Sequence, residues 1–230
     1  MIQRLEGKHI LISGAYGRLG KEIVPLLKEE GAIVMAPSRQ EWDICLHPCG
    51  LAMPSTPDII IHAAAYTDVP AAEKEKDECE YINVIGTKRV SKLAHSLNAK
   101  MVYISSDYVN ATPMGFYAFT KKAGEYFVDG PDDMIVRTSF KPRNMWGEDG
   151  LRQVFHPVYT NADWTDVIAK KIVDAVCQNL IGIVNIGTER KTLYDLAYSE
   201  YEDVQIVNVE VADKKLGYSY PRDTCMELTI

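Results

Sequence analysis

Gly14-Ala15-Tyr16-Gly17-Arg18-Leu19-Gly20 is the stretch that decides the fold. It follows an apolar run, His9-Ile10-Leu11-Ile12, and opens a segment from Arg18 to about Glu30 in which Leu19, Ile23, Leu26 and Leu27 recur at helical spacing. A second apolar run, Ala32-Ile33-Val34-Met35, completes a βαβ unit. Glycines between a strand and a helix permit a tight turn, let backbone N–H groups approach a pyrophosphate, and allow close helix–sheet packing. The helix N-terminus then favours the anion. A glycine triplet alone says little, but a strand before it and a helix after it make Gly14 to Gly20 a candidate dinucleotide cradle.

Three further runs read as buried strands: Asp58-Ile59-Ile60-Ile61, Met101-Val102-Tyr103-Ile104 and Met134-Ile135-Val136. They alternate with helices expected over residues 71 to 97 and roughly 117 to 128, as a parallel sheet demands. Beyond Thr138 the pattern loosens, with Pro142, Gly147, Gly150 and Pro157 as punctuation. A helix near Trp164 to Cys177 and a strand at Gly182-Ile183-Val184-Asn185-Ile186 follow. The expectation is an α/β fold: a Rossmann-type doubly wound parallel sheet with a small, abbreviated C-terminal substrate lobe. Residues 1–138 form the dinucleotide-binding domain, and residues 139–230 form the lobe, interleaved with the last Rossmann elements.

The 230 residues, 47% hydrophobic, are enough to bury a substantial core. A formal net charge of -7 argues against a nucleic-acid groove, which needs clustered Lys and Arg. No run approaches the roughly 20 apolar residues of a membrane span, and Met1-Ile2-Gln3-Arg4-Leu5-Glu6 lacks a signal-peptide apolar segment, so a cytoplasmic location is expected. Cys45, Cys49, Cys79, Cys177 and Cys225 are odd in number and include no CxxC pair, which suits reduced thiols. Cys45 and Cys49 have no partners at ligand spacing, and no metal is expected.

At the end of the second strand, where an NAD site usually carries an acidic residue, the chain reads Pro37-Ser38-Arg39-Gln40. Arg39 favours a 2'-phosphate, so NADP(H) is expected over NAD(H), with NAD(H) still admitted; the competing reading is a solvated arginine. Tyr117 and Lys121 lie four residues apart on one face of a predicted helix. A nearby cation favours the phenolate, and bringing a tyrosine from about 10 to about 7 takes about 4 kcal/mol of differential interaction. The pair is thereby a candidate for proton transfer to a carbonyl. Ser106, at the carboxyl end of the strand Met101 to Ile104, can hydrogen-bond the same oxygen.

Taken with these residues, the segments His62-Ala63-Ala64-Ala65-Tyr66-Thr67, Ser105-Ser106-Asp107-Tyr108-Val109 and Tyr117-Ala118-Phe119-Thr120-Lys121-Lys122-Ala123-Gly124-Glu125 make the chain resemble the extended short-chain dehydrogenase/reductases. Within them it is most similar to the dTDP-4-dehydrorhamnose reductase family. Val136-Arg137-Thr138-Ser139 and Pro221-Arg222-Asp223-Thr224 add to the likeness. The resemblance implies that Tyr117 protonates a sugar C4 carbonyl, Lys121 holds the nicotinamide ribose and tunes Tyr117, and Ser106 polarises the carbonyl. It further implies that Asp43 and Ile44 contact the adenine, that Ala63, Ala64 and Ala65 line the cofactor, and that Asn83 supports the active site. Asp107 would touch the sugar. The same likeness implies a nucleotide-sugar substrate and admits a homodimer, which is common in the superfamily although no interface can be read from the sequence; charge and hydropathy point to no nucleic acid or membrane partner.

Singly, Tyr117 and Lys121 are also an ordinary amphipathic pair, Ser106 a turn residue and Asn83 a polar helix position; together they stand in the order and on the elements the chemistry requires. His62, ending a buried strand, reads as structural. The departures fall on the sugar side. Ten residues separate Ser106 from Tyr117 where the family has a longer loop, and the stretch from Ser139 to Val158 is abbreviated. Phe140 stands where the family has a substrate-contacting tryptophan, so an N–H donor is lost. Tyr159, Trp164 and Trp146 are candidate replacements for its stacking area. Two other functions remain open: a nucleotide-sugar epimerase or dehydratase that recycles its cofactor, and a non-catalytic dinucleotide-binding regulatory subunit, like the one that resembles this family and serves methionine adenosyltransferase.

Overall fold

Side chains on a strand alternate between the two faces of its sheet, and here both sets are apolar. Ile10, Ile12, Ile59, Ile61, Val102, Ile104, Met134 and Val136 enter one core, while Leu11, Ile60, Met101, Tyr103 and Ile135 enter the other. A strand apolar on both faces has to be covered twice, and the computed structural model, which describes residues 4–46, 53–144 and 153–230, shows how.

The elements of the first part are β1 (His9–Ser13), α1 (Arg18–Glu29), β2 (Ile33–Met35), β3 (Ile59–His62), α2 (Val69–Ala72), α3 (Lys76–Glu80), a π-helical turn (Tyr81–Gly86), α4 (Thr87–Ser96), β4 (Lys100–Ile104), a 3-10 turn (Asp107–Asn110), α5 (Phe116–Glu125) and β5 (Met134–Arg137). The remainder supplies β6 (Phe140–Lys141), β7 (Gln153–His156), β8 (Tyr159–Thr160), β9 (Asp163–Trp164), α6 (Thr165–Cys177), β10 (Gly182–Asn185), β11 (Lys191–Thr192), α7 (Leu193–Tyr198), β12 (Gln205–Asn208) and α8 (Val209–Leu216).

Six strands pair in parallel in the order β10-β5-β4-β3-β1-β2, the Rossmann-type doubly wound sheet. Helices α1 and α6 pack together over one face, and α4 lies against β3 and β4 on the other. The chain leaves β1 toward β2 and then crosses to β3 on the opposite side. The carboxyl ends of β1 and β3 thus flank the topological switch point, where a crevice opens. Helix α6 and strand β10 come from beyond residue 138, so the sheet is completed by chain that has already passed through the lobe. The lobe itself is made of three strand pairs, β6 with β9, β7 with β12 and β8 with β11, around a small core of Val154, Val158, Leu193, Ala197 and Val209.

The helix expected over residues 71 to 97 is divided. Asp68 caps α2 by accepting the Ala71 N–H at 2.9 Å, and Pro70 suits that first turn, so the helix starts early and ends at Ala72. It resumes at Lys76 and widens into the π turn, where the Thr87 hydroxyl donates to the Asn83 carbonyl at 2.6 Å. Trp146, together with Cys49, Gly147 and Gly150, lies outside the described residues. No helix among the described residues is long and apolar enough to cross a membrane.

Because α6 covers the same face as α1, its interior is part of the main core. Ile168→Ala, at a fully buried position, is expected to lower unfolding stability by about 2–5 kcal/mol. Val211→Ala, on the exposed side of α8, is expected to change it by less than about 0.5 kcal/mol. Urea titrations of the two variants check both values.

Candidate active site

At the switch point the Gly14 to Gly20 turn leaves β1 and enters α1. Gly14 has a φ of +73°, and a Cβ there would stand 2.6 Å from the Ala64 nitrogen, so the loop after β3 closes directly over this turn. A Cβ on Gly20 would come within 2.7 Å of the Ala15 Cα, so the first turn of α1 also lies against the loop backbone. No side chain caps α1 at Gly17, and its first turn carries no acidic residue. Its N–H groups and partial positive charge are left for a ligand anion. A pyrophosphate fits this cradle on both counts, shape and charge.

The cradle forms one end of a cleft of about 560 Å³. Of the expected cofactor residues, Gly14, Ala15, Tyr16, Gly17, Arg18, Leu19, Gly20, Arg39, Asp43, Ile44, Ala63, Ala64, Ala65, Tyr117 and Lys121 all line it, and so do Ser106 and Phe140. Ser38 does not. It is engaged locally, its N–H donating to the Glu41 carboxylate at 2.7 Å and its hydroxyl accepting the Glu41 N–H. Arg39 is 77% exposed at the cleft and meets Asp43 at 3.5 Å, a loose contact that leaves the guanidinium available.

Tyr117 and Lys121 project from α5. The start of that helix is held from outside, because Glu73 accepts the Phe116 N–H at 2.7 Å. Farther along, Glu125 accepts from Arg137 Nε at 2.9 Å and a second Arg137 nitrogen at 2.7 Å, from the Lys122 ammonium at 2.9 Å and from the Ser105 hydroxyl at 2.7 Å. These donors hold the Glu125 carboxyl below its ordinary range against the opposing effect of burial. They tie α5 to the carboxyl ends of β4 and β5.

The protonation states differ from the expectation of a tyrosine lowered by its lysine. Burial raises the Tyr117 phenol above its ordinary value, the Asp107 charge adds to the rise, and a hydrogen bond with Ser106 opposes it. Lys121 is 2% exposed, with Nζ 4.3 Å from the centre of the Tyr103 ring, and burial brings it down to about 7, opposed by Glu125 and Cys79. Desolvation of both groups is the dominant effect, so without ligand the phenol is held protonated and the ammonium is destabilised.

Asn83 does not line the cleft. Its side chain accepts from the Tyr66 N–H at 2.8 Å and donates to the Thr120 hydroxyl at 3.0 Å, fastening the loop after β3 to α5. It acts through other groups. Asp107 is also outside the lining and almost wholly buried; Thr224 donates to it at 2.6 Å and Ser106 at 3.3 Å. Burial brings its carboxyl up to about 6. His62 is structural in its bonding. Nδ1 meets the Ser13 hydroxyl at 2.7 Å and Nε2 meets Thr87 at 3.0 Å, and burial lowers the ring to about 3, so it is neutral. Thr87 gives its one hydrogen to the Asn83 carbonyl, which assigns the imidazole proton to Nε2.

Neither Tyr159 nor Trp164 lines the cleft. Trp164 is core beside Ala162 and Leu196, and Tyr159 stacks under Arg190 at 3.8 Å elsewhere on the lobe. Tyr108 does reach the site, edge-on to Tyr117 with ring centres 6.3 Å apart. Trp42, Thr138, Ser139 and Lys141 also line the cleft. Only the Arg-Thr-Ser run among them had a sequence signal. The described residues include no cluster of side chains able to hold a metal ion.

A family model described as the RmlD substrate binding domain matches residues 8–141. The chain is 29% identical over 230 aligned residues to a dTDP-4-dehydrorhamnose reductase of Mycolicibacterium smegmatis, covering 86% of this chain and 69% of that one. A reductase of the same name from Mycobacterium tuberculosis is 27% identical over 161 residues, 62% of this chain, and the chain spans about half of that relative's length, 53%. Among solved structures, a dTDP-4-dehydrorhamnose reductase of Bacillus anthracis in complex with NADP superposes with a TM-score of 0.82 at 24% identity, over 97% of this chain and 90% of that one, a likeness of fold.

The titration of Lys121 has a consequence for stability. Its folded-state value of about 7 lies below the ordinary 10.5, so between those limits the unfolded chain binds the extra proton. Stability from this group therefore rises as pH goes from about 7 toward 10.5, and chemical denaturation across that window is expected to show a less positive slope in Lys121→Met than in the wild type. Separately, Gly14→Ala forces a side chain into a left-handed backbone against Ala64 and is expected to cost at least about 1–3 kcal/mol, read by thermal or urea unfolding.

Proposed function

The chain belongs to the RmlD substrate-binding domain family, and from that premise we propose that it is an NADPH-dependent reductase of a nucleotide-linked 4-keto-6-deoxy sugar, of the dTDP-4-dehydrorhamnose type. The observation that carries the reading is the convergence of Ser106, Tyr117 and Lys121 on the cleft that begins at the Gly14 to Gly20 cradle. The named activity of the mycobacterial relatives and the NADP of the B. anthracis structure support it. In this reading residues 1–138 bind the dinucleotide and residues 139–230 close on the sugar, in a cytoplasmic homodimer.

A reduced nicotinamide bound in the cleft would supply the hydride. The protein's part is to deliver a proton and to stabilise the oxygen. A phenol held protonated by burial is a stocked acid at neutral pH, which suits reduction of a ketone. Ser106 lies beside the same phenol and donates a hydrogen bond to the carbonyl oxygen as negative charge develops there. As Tyr117 gives up its proton to the substrate oxygen, the phenolate favours the charged form of Lys121 one helical turn away, whose value near 7 lets it take up a proton from solvent. Arg39, exposed at the cleft, would meet the 2'-phosphate of a bound dinucleotide and set the preference for NADPH. The complete Ser106, Tyr117 and Lys121 set favours catalysis over a purely regulatory role.

Mixed with NADPH and dTDP-4-dehydrorhamnose, the protein is expected to oxidise the nicotinamide stoichiometrically, and Tyr117→Phe to lose turnover by about 10²–10⁴-fold. Absence of net NADPH oxidation by the wild type, with sugar isomerised instead, would mark an epimerase. Arg39→Ala is expected to weaken NADPH binding while leaving NADH binding unchanged; equal effects on the two would remove the basis for the NADPH preference.

A further inference from the structure

Thr224 lies 117 residues from Asp107 in the chain, yet its hydroxyl donates to Asp107 Oδ2 at 2.6 Å, in a pair that is almost wholly buried: 2% and 1% exposed. The other carboxylate oxygen, Oδ1, receives the Ser106 hydroxyl at 3.3 Å. The strong bond is thus the one to Thr224 and the weak one is to the hydroxyl that the proposed chemistry needs. Ser106 also accepts the Tyr108 N–H at 3.2 Å, and it has a single hydrogen to give. That hydrogen can go to Asp107, to the Tyr117 phenol or to a substrate carbonyl, and how well Asp107 is satisfied from its other side sets the strength of its claim.

The segment that carries Thr224 is fixed in place. The Thr224 N–H donates to the Tyr159 carbonyl at 3.0 Å, the Tyr159 N–H to the Arg222 carbonyl at 2.8 Å, and the Tyr220 and Tyr108 hydroxyls meet at 2.7 Å. The lobe therefore grips the 3-10 turn that follows Ser106 at two points, Tyr108 and Asp107. We propose that Thr224 is a positioning residue of the active site: by satisfying Asp107 it leaves the Ser106 hydrogen free for the substrate carbonyl, so that Asp107 serves the turn and not the sugar. The inference rests on the reductase reading for its effect on turnover, but not for its effect on Asp107.

Losing this bond deprives a buried carboxylate of its best donor. The charged and titratable groups facing Asp107 are Lys141 from β6, Tyr117 from α5 and Tyr108 from its own turn. None of these can replace the Thr224 hydroxyl at Oδ2 without the turn moving. While ionised, Asp107 then competes harder for the Ser106 hydrogen, and its carboxyl titrates at a higher pH.

The test compares Thr224→Val, Thr224→Ser and wild type by two measurements: steady-state reduction of dTDP-4-dehydrorhamnose with NADPH, and carbon-13 titration of the Asp107 carboxyl. Thr224→Val is expected to lower kcat roughly tenfold, the scale of one lost charge-assisted hydrogen bond, with the Kd for NADPH unchanged. The Asp107 midpoint is expected to rise in the same variant, and Thr224→Ser to restore both. An unmoved midpoint in Thr224→Val overturns the proposal whatever the turnover. So does a raised midpoint with wild-type kcat, or a loss of kcat that Thr224→Ser fails to restore or that NADPH affinity shares. If the wild type reduces no 4-keto sugar nucleotide, the reductase reading fails by itself, and the carboxyl titration alone upholds or sinks the role of Thr224 at Asp107.

Discussion

The buried pairing of Glu125 with Arg137 is the interaction on which the rest of the site depends. Both hydrogen bonds of the fork are short, 2.7 and 2.9 Å, and the side chains are only 6% and 11% exposed. Burying two charges is costly, and the cost is offset only when every lone pair finds a donor. Here Lys122 and Ser105 supply the remaining ones. The result is a junction of three elements. The ends of β4 and β5 are neighbours in the sheet, and α5 is fastened to both, so Ser106 on one and Tyr117 on another keep a common orientation. Asn83 makes a second fastening to α5, through Thr120. Between them the helix has little freedom to roll.

That fixed helix explains the electrostatics. Lys121 is carried into the interior under the Tyr103 ring, where burial weighs against its charge, and the same interior weighs against the Tyr117 phenolate. A charge pair drawn from helical spacing alone puts the cation in water beside the phenol and predicts a lowered phenol. The structure reverses that balance because desolvation acts on each group separately and dominates here. The protein consequently holds a neutral acid one helical turn from an amine brought down to about 7, whose charge burial no longer guarantees at neutral pH.

The lobe is small, and its contribution lies in where it touches the sheet domain. Three two-stranded pairs would be marginal alone, and they are anchored by α6 and β10 returning into the main sheet and by the C-terminal segment running back along β10 through Asn185 and Thr229. The same segment reaches the turn after Ser106 by way of Tyr220 and Thr224. An abbreviated lobe thus still closes one side of the turn after Ser106, using hydroxyl contacts where a longer loop would bring its own side chains.

Local pattern sufficed for much of this. The Gly14 to Gly20 turn, the six strand runs, and the order of Ser106, Tyr117 and Lys121 are written in short-range periodicity, turn chemistry and helical spacing, so the parallel sheet and the cleft at its switch point could be read directly. The break of the helix between Ala72 and Lys76, the withdrawal of Asp107 from the cleft, the burial of Trp164 and the contact of Thr224 with Asp107 were decided by tertiary structure. Each of these depends on which distant groups compete for the same hydrogen bond or the same apolar space. Spacing along the chain determines which face a side chain occupies, but only the folded neighbours determine what that face meets and how much water is left there.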